Sequence, residues 1–185
     1  QAGNLRLVYV GKAEPRRSLA RLWLLSMLTP KNLEIHLYLV VGSDCRRQML
    51  KLMQKISKSF FIHKAIERTV LAEELSSYDY GIFLENTNSP NTKMSMPNKF
   101  FEWVSAGIPI IATESSAVGE YVRRSGAGIT VHPNFLKQLK RISNLSKSQA
   151  ADHRYYVASV LRPQLLVDAN GAISYSDWLQ GRLES

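Results

Sequence analysis

The stretch MPNKFFEWVSAGIPIIATES, residues 96–115, reads as a helix that runs into a strand. Pro97 suits the first helical position, where a missing N–H is no loss. Phe100, Trp103, Val104 and Gly107 follow at i, i+3, i+4 and i+7, the spacing that puts side chains on one buried face. Asn98, Glu102 and Ser105 line another. A helix is therefore expected over residues 97–106, a strand over 108–112 and a second helix over about 116–124.

The same alternation extends in both directions. Upstream lie strands over residues 80–84, 60–63, 33–41 and 5–10, the last (LRLVYV) followed at once by Gly11. Between them, helices are expected over about 16–28, 43–58 and 71–76, and a polar loop over 85–96. Downstream come a strand over 128–131 and, from Pro133, a more polar helical region. Parallel neighbours need a crossover and a helix supplies it, so this alternation predicts an α/β domain, a Rossmann-like parallel sheet with helices on both faces. Residues 1–185 read as one domain. The first strand begins after four residues, which is expected if the chain is part of something larger.

Composition agrees. With 45% apolar and 21% charged residues among 185, the chain falls among single soluble globular domains and not among disordered ones. Cys45 is the single cysteine, so a disulfide framework is excluded; with no base to pair with, it reads as structural. The longest apolar stretches, 19–28 and 35–41, are far short of the roughly 18 residues of a membrane span. No basic segment leads into an apolar one at the start, which makes a reducing cytoplasm the default. The net charge of +9 predicts an anionic partner: a phosphate-bearing metabolite, acidic lipid or nucleic acid. Nucleic acid is disfavoured, because no helix-turn-helix pattern, RNP-like motif or basic run interleaved with aromatics is present.

In an open parallel sheet, ligands bind beyond the carboxyl ends of the strands, where helix N-termini carry free N–H groups. Residues 11–18, 85–98 and 113–120 qualify by position. The first, GKAEPRRS, offers Gly11 for close backbone approach and Lys12, Arg16 and Arg17 for a diphosphate, although surface cations would read the same. It matches neither GxxxxGK[ST] nor GxGxxG. In the second, Glu102 is too far into its helix to act as a cap, which leaves a solvated carboxylate or an acceptor for a ligand's hydroxyl pair. No carboxylate pair or cluster suited to a metal is visible; Asp79 stands between tyrosines at a strand start.

The segments YDYGIFLE, MPNKFFEWVSAGIPIIATES, VGEYV and GAGITV, in that order between Tyr78 and Val131, resemble the carboxyl-terminal, donor-binding domain of retaining GT-B glycosyltransferases of the bacterial lipopolysaccharide, capsule and O-antigen type. The opening VYVGKAEPRRSLARL looks like that domain's first strand and loop, and YSDW at 175–178 like its final helix. The resemblance implies a nucleoside-diphosphate sugar, of UDP or GDP type, as donor, no cofactor and no metal. It implies retaining transfer of a hexose-type sugar to a glycan or lipid-linked acceptor, with an amino-terminal acceptor domain that this chain lacks. By position, Lys12 and Arg17 would stabilise the leaving diphosphate as the catalytic residues, and Arg16 has no fixed counterpart. Gly11, Ser95, Met96, Pro97, Asn98 and Lys99 would approach phosphate and sugar, and Glu102 the ribose. Many relatives carry a glutamate eight residues before the second one; here Met94 stands there. The alternative is a non-catalytic nucleotide-binding or regulatory module of the same fold.

Two further features stay open. His63 ends a strand and either approaches the donor base or is an ordinary lone histidine. Arg47, Lys51, Lys55 and Lys58 form a basic stripe at helical spacing, by default a solvated face. Peripheral contact with the acidic inner face of a membrane is the second reading, since the acceptors of related enzymes are lipid-linked.

Overall fold

The structure, a computed structural model, describes residues 3–13, 19–29, 32–84 and 98–163. Six strands, β1 (Leu5–Lys12), β2 (Leu33–Val40), β3 (Phe60–Lys64), β4 (Tyr80–Phe83), β5 (Ile110–Thr113) and β6 (Gly128–Val131), form one sheet in the order β3-β2-β1-β4-β5-β6. Every recorded pairing is parallel. The helices are α1 (Leu19–Leu28), α2 (Asp44–Ile56), α3 (Arg68–Leu75), α4 (Asn98–Ser105), α5 (Ala117–Ser125), α6 (Phe135–Ser143) and α7 (Lys147–Tyr156), the last running into a π-helical turn, Val157–Leu161. This is the expected Rossmann-like α/β architecture.

Alternation along the strands sorts the core into two layers. Leu5, Leu7 and Tyr9 of β1, with Ile35 and Leu37 of β2, pack beneath α1, α2 and α6. Val8, Tyr38 and Phe83 face the other way, against Leu71 and Leu75 of α3, Phe100 and Trp103 of α4, and Val118 and Val122 of α5. The face of α4 expected to be buried is buried, with Phe100, Trp103 and Val104 all withdrawn from water. A Cβ on Gly81 would overlap the Trp103 indole, so the absence of a side chain there lets the ring rest on β4 and fixes α4 against the sheet. Gly107, at φ +70°, then ends the helix; its N–H donates to the Val104 carbonyl and that of Ile108 to Trp103.

Several boundaries move for identifiable reasons. β5 starts at Ile110 and not at Ile108, because Pro109 has no N–H and Ile110 is the residue that donates to the Ala127 carbonyl, at the entry to the neighbouring strand. β1 runs on to Lys12, since β2 keeps pairing with it through Gly11–Leu39 and Lys12–Val40. Gly11 and Lys12 are thus strand residues and not the start of a loop. α3 begins at Arg68, a turn earlier than expected. Cys45 is exposed on α2, which corrects its reading as a structural residue. Asp79 is a tether: its Oδ2 accepts from the Arg6 backbone N–H and the Lys147 ammonium, each at 2.6 Å.

Candidate functional site at the carboxyl edge of the sheet

β1 and β4 are neighbours at the middle of the sheet, and the chain leaves them in opposite directions, toward β2 and toward β5. Such a point of reversal leaves a crevice at the carboxyl ends of the strands. Here the ladder between the two strands is also short. β1 pairs with β2 over its whole length but with β4 only through Leu7–Tyr80 and Val8–Gly81. Beyond those pairs no ladder pairing joins the two strands.

The Lys99 side chain reaches into this opening from the first turn of α4. It is only 8% exposed, its Nζ donates to the Tyr9 phenol at 3.0 Å, and it stands 4.3 Å from the centre of the Tyr9 ring. The Phe83 ring lies 5.9 Å away on the β4 side. Gly11 makes the room: a Cβ on it would come within 2.9 Å of the ammonium. Two distant parts of the chain therefore meet at one point, where a strand-end glycine and a phenol from β1 receive a buried cation from α4. The sequence singles out Gly11 and Lys99; it does not single out Tyr9, a strand residue among apolar neighbours.

Other charges border the same edge. Lys12 ends β1 and is exposed. The Arg46 guanidinium, from the first turn of α2, donates to the Ala13 carbonyl at 2.9 Å and so brings a further cation to the end of β1. No sequence signal separates Arg46 from the other cations of its helix. Glu102 is half-buried on α4, one turn beyond Lys99. At the end of β5, Ser116 caps α5: its hydroxyl accepts from the Gly119 N–H at 3.0 Å and donates to the Thr113 carbonyl at 2.7 Å. A Cβ on Gly119 would overlap that carbonyl, so glycine is required for α5 to begin so close to the strand. The Thr113 hydroxyl is buried without a hydrogen-bond partner among the described residues.

Cations stand around the end of β1, and α4 and α5 begin at the same carboxyl edge of the sheet, where helix N-termini carry free N–H groups. α4 is described from Asn98 to Ser105, inside the helix expected over residues 97–106. Arg16, Arg17, Ser95, Met96 and Pro97, the loop expected between β4 and α4, and the YSDW segment at 175–178 lie outside the described residues. Among the described residues, no group of three or more His, Cys, Asp or Glu side chains is placed to hold a metal ion.

His63 is not solitary. Its Nε2 lies 2.9 Å from His36 Nδ1, and its ring stacks on Tyr38 at 4.6 Å and on His36 at 5.2 Å. Burial drives the His36 pKa down to about 4 and lowers that of His63. Both rings are therefore neutral near pH 7, and the His36–Glu34 contact at 3.3 Å is a hydrogen bond to a carboxylate from a neutral ring. His63, Tyr38, Lys64, Glu73 and Glu74 border an open hollow of about 720 Å³ beside α3, at the β3 side of the sheet and not at the β1–β4 opening.

Comparison with known proteins gives this geometry a family. The family model for glycosyl transferases group 1 matches residues 4–145. No curated protein sequence matches. Among solved structures, Anabaena HepE in complex with UDP-glucose is similar at a TM-score of 0.63 and 12% identity, over 92% of this chain and 49% of that one. WaaG, a glycosyltransferase involved in lipopolysaccharide biosynthesis, gives 0.57 and 14%, over 94% and 48%. The catalytic domain of the Helicobacter pylori cholesterol-α-glucosyltransferase gives 0.61 and 16%, over 87% and 98%. The chain thus spans about half the length of HepE and WaaG and nearly all of the third structure. At these identities the structural likeness concerns the fold, a GT-B half-domain, while the sequence match covers most of the chain: the chain belongs to the group 1 glycosyltransferases.

Proposed function

We propose that this chain is the carboxyl-terminal, donor-binding domain of a retaining glycosyltransferase, and that it holds a nucleoside-diphosphate sugar of UDP or GDP type at the opening between β1 and β4. The observation that carries the reading is Lys99, a nearly buried ammonium at the point where the ladder between the two central strands ends, beside a glycine that leaves it room. A cation withdrawn from water at that place suits a diphosphate, for which Lys acts as a compact point charge. Membership of the group 1 family and the UDP-glucose held by HepE support the ligand class.

In this reading the diphosphate lies over Gly11, with Lys99 and Lys12 on it and Arg17 joining from the following segment. Glu102 accepts from the ribose hydroxyls, and residues 95–98 approach phosphate and sugar. Transfer breaks the bond between the anomeric carbon and the diphosphate oxygen, the electron pair leaving with the diphosphate. The acceptor hydroxyl oxygen bonds to the same carbon from the same face, and its proton passes to the departing diphosphate oxygen. Lys12 and Arg17 neutralise the charge that grows on the diphosphate, as a preorganised oxyanion site does, without a metal. An amino-terminal domain supplies the other wall and the acceptor, a glycan or lipid-linked sugar of the lipopolysaccharide, capsule or O-antigen kind, and the sugar moved is a hexose. The family resemblance suggests these last assignments, and the half-length match to HepE and WaaG supports the second domain.

The test is a thermal-shift panel of nucleoside diphosphates and their sugars, with and without a chelator. A ligand at 100 times its dissociation constant adds about 2.7 kcal/mol of stability. One base is expected to raise the melting temperature equally in both arms. No shift with any nucleotide overturns the site, and a shift abolished by the chelator overturns the metal-free assignment.

A further inference from the structure

Among the described residues, the helices on the two faces of the sheet differ in charge. α3, α4 and α5 carry Glu73, Glu74, Glu102 and Glu120 beside Arg68, Lys99, Arg123 and Arg124, so that charges of both signs are mixed there. The other layer, α1, α2 and α6, carries a single carboxylate, Asp44, while α2 bears Arg47, Lys51 and Lys55 and α6 bears Lys137, Lys140 and Arg141.

Between those two basic margins lies exposed apolar surface. Cys45, Met49, Leu52 and Ile56 recur at steps of four, three and four, so they form one line along α2. All are exposed, Leu52 at 58% and Ile56 at 51%, while Leu50 alone on that helix is fully buried. Amphipathic spacing normally marks a core face; here it marks a second face, turned away from the core. The line borders α1. The Trp23 indole of α1 donates to the Met53 carbonyl, and Met49 and Ile56 are the residues one turn to either side of Met53. Met27, one turn on from Trp23, is exposed too, as are Leu24 and Leu28. α6 packs on the far side of α1, where Arg21 donates to the Gln138 side chain, and its Leu136 is 70% exposed. An apolar strip with cations on both sides thus runs across three helices.

We propose that this face docks on the surface of a bilayer rich in anionic lipid, its apolar strip entering the headgroup boundary and its two cationic margins pairing with headgroup charge. The chemistry is that of an interfacial amphipathic surface: apolar residues on one line, Lys and Arg beside them, almost no carboxylate. Charge complementarity selects this occupant. A soluble polyanion would satisfy the margins but leave Leu52, Ile56 and Met27 facing water. A second copy of the chain would bring like-charged margins together. The acceptor domain proposed above belongs at the carboxyl edge of the sheet, whereas this strip lies across one of its faces.

Flotation of the 185-residue chain with vesicles, in the absence of nucleotide, tests the docking separately from the glycosyltransferase reading. Binding is expected to vesicles of equal phosphatidylcholine and phosphatidylglycerol, weakening with salt, and not to phosphatidylcholine alone. Lys51→Ala with Lys55→Ala should lower the affinity about 30-fold, at about 1 kcal/mol for each cation near the surface. Leu52→Ser with Ile56→Ser should lower it at least tenfold while leaving the melting temperature and retention on heparin unchanged, because both side chains are exposed. Failure to float with anionic vesicles overturns the proposal. So does unchanged flotation of the serine variant, which would mean attraction by charge alone, or a loss of heparin retention in that variant equal to its loss of flotation, which would mean a polyanion site.

Discussion

Replacing Lys99 by methionine keeps the length and bulk of the side chain and removes the charge from the β1–β4 opening. Two effects on stability nearly offset each other. Among the contacts the variant loses are the charge-assisted hydrogen bond to Tyr9, worth about 1.5–3 kcal/mol, and the attraction to its ring, worth about 0.5–2 kcal/mol. It also escapes the cost of holding an ammonium at 8% exposure, and its thioether fits the aromatic walls of Tyr9 and Phe83. A net change within about 1 kcal/mol moves the melting temperature of a domain this size by about 2–4 °C. Ligand binding behaves differently, because nothing replaces the ammonium facing the diphosphate. A hydrogen bond to a charged group is worth about 1.5–3 kcal/mol, which predicts a ten- to hundredfold weaker nucleoside diphosphate. Calorimetric titration of wild type and Lys99→Met with UDP and GDP, beside their melting curves, measures both quantities. A folded variant with unchanged affinity would refute the reasoning and leave Lys99 as a packing residue of the crevice.

Three more outcomes are expected. Glu102→Gln should weaken the nucleoside diphosphate by about tenfold or more without changing stability by more than about 0.5 kcal/mol, whereas a merely solvated glutamate would leave the affinity alone in the same titration. In the full-length enzyme, Lys12→Ala and Arg17→Ala should each lower turnover by about 10²–10³-fold, and normal turnover in both would make them surface charges. His36, held at a pKa of about 4 by burial, is neutral in the folded chain but takes up a proton near pH 6.5 when unfolded. Between those values the unfolded state binds more protons, so stability is full above pH 6.5 and falls by about 3 kcal/mol as pH drops toward 4. His63 and His153, also lowered by burial, act with the same sign. Melting temperatures from about pH 7 to about pH 4.5 should fall accordingly, less steeply for His36→Gln, and a flat profile would contradict the assignment.

What the sequence makes legible is whatever depends on neighbours along the chain. The i, i+3, i+4 spacing of Phe100, Trp103 and Val104 is enough to orient α4, and the alternation of strands and helices is enough for the sheet. The contents of the crevice are not readable in that way. Lys99 and Tyr9 are 90 residues apart, and they meet only because β4 crosses back to lie beside β1. His63 looks solitary in the sequence for the same reason: His36 reaches it through the β2–β3 register, across 27 residues. Arg46 differs from Arg47 in nothing but direction, and only the packed helix shows which of them turns to the end of β1. On α2 the basic stripe is visible, but the exposed line of Met49, Leu52 and Ile56 is hidden, since apolar residues at helical spacing look the same whether they face the core or water.

The central claim is that a nucleoside diphosphate occupies the opening between β1 and β4, and amide hydrogen exchange locates it most directly. With saturating UDP or GDP, whichever binds, exchange should slow at residues 9–13 and in the first turn of α4, residues 98–102. Protection confined to other segments, such as the hollow beside α3, or no change at any nucleotide concentration, would contradict the account.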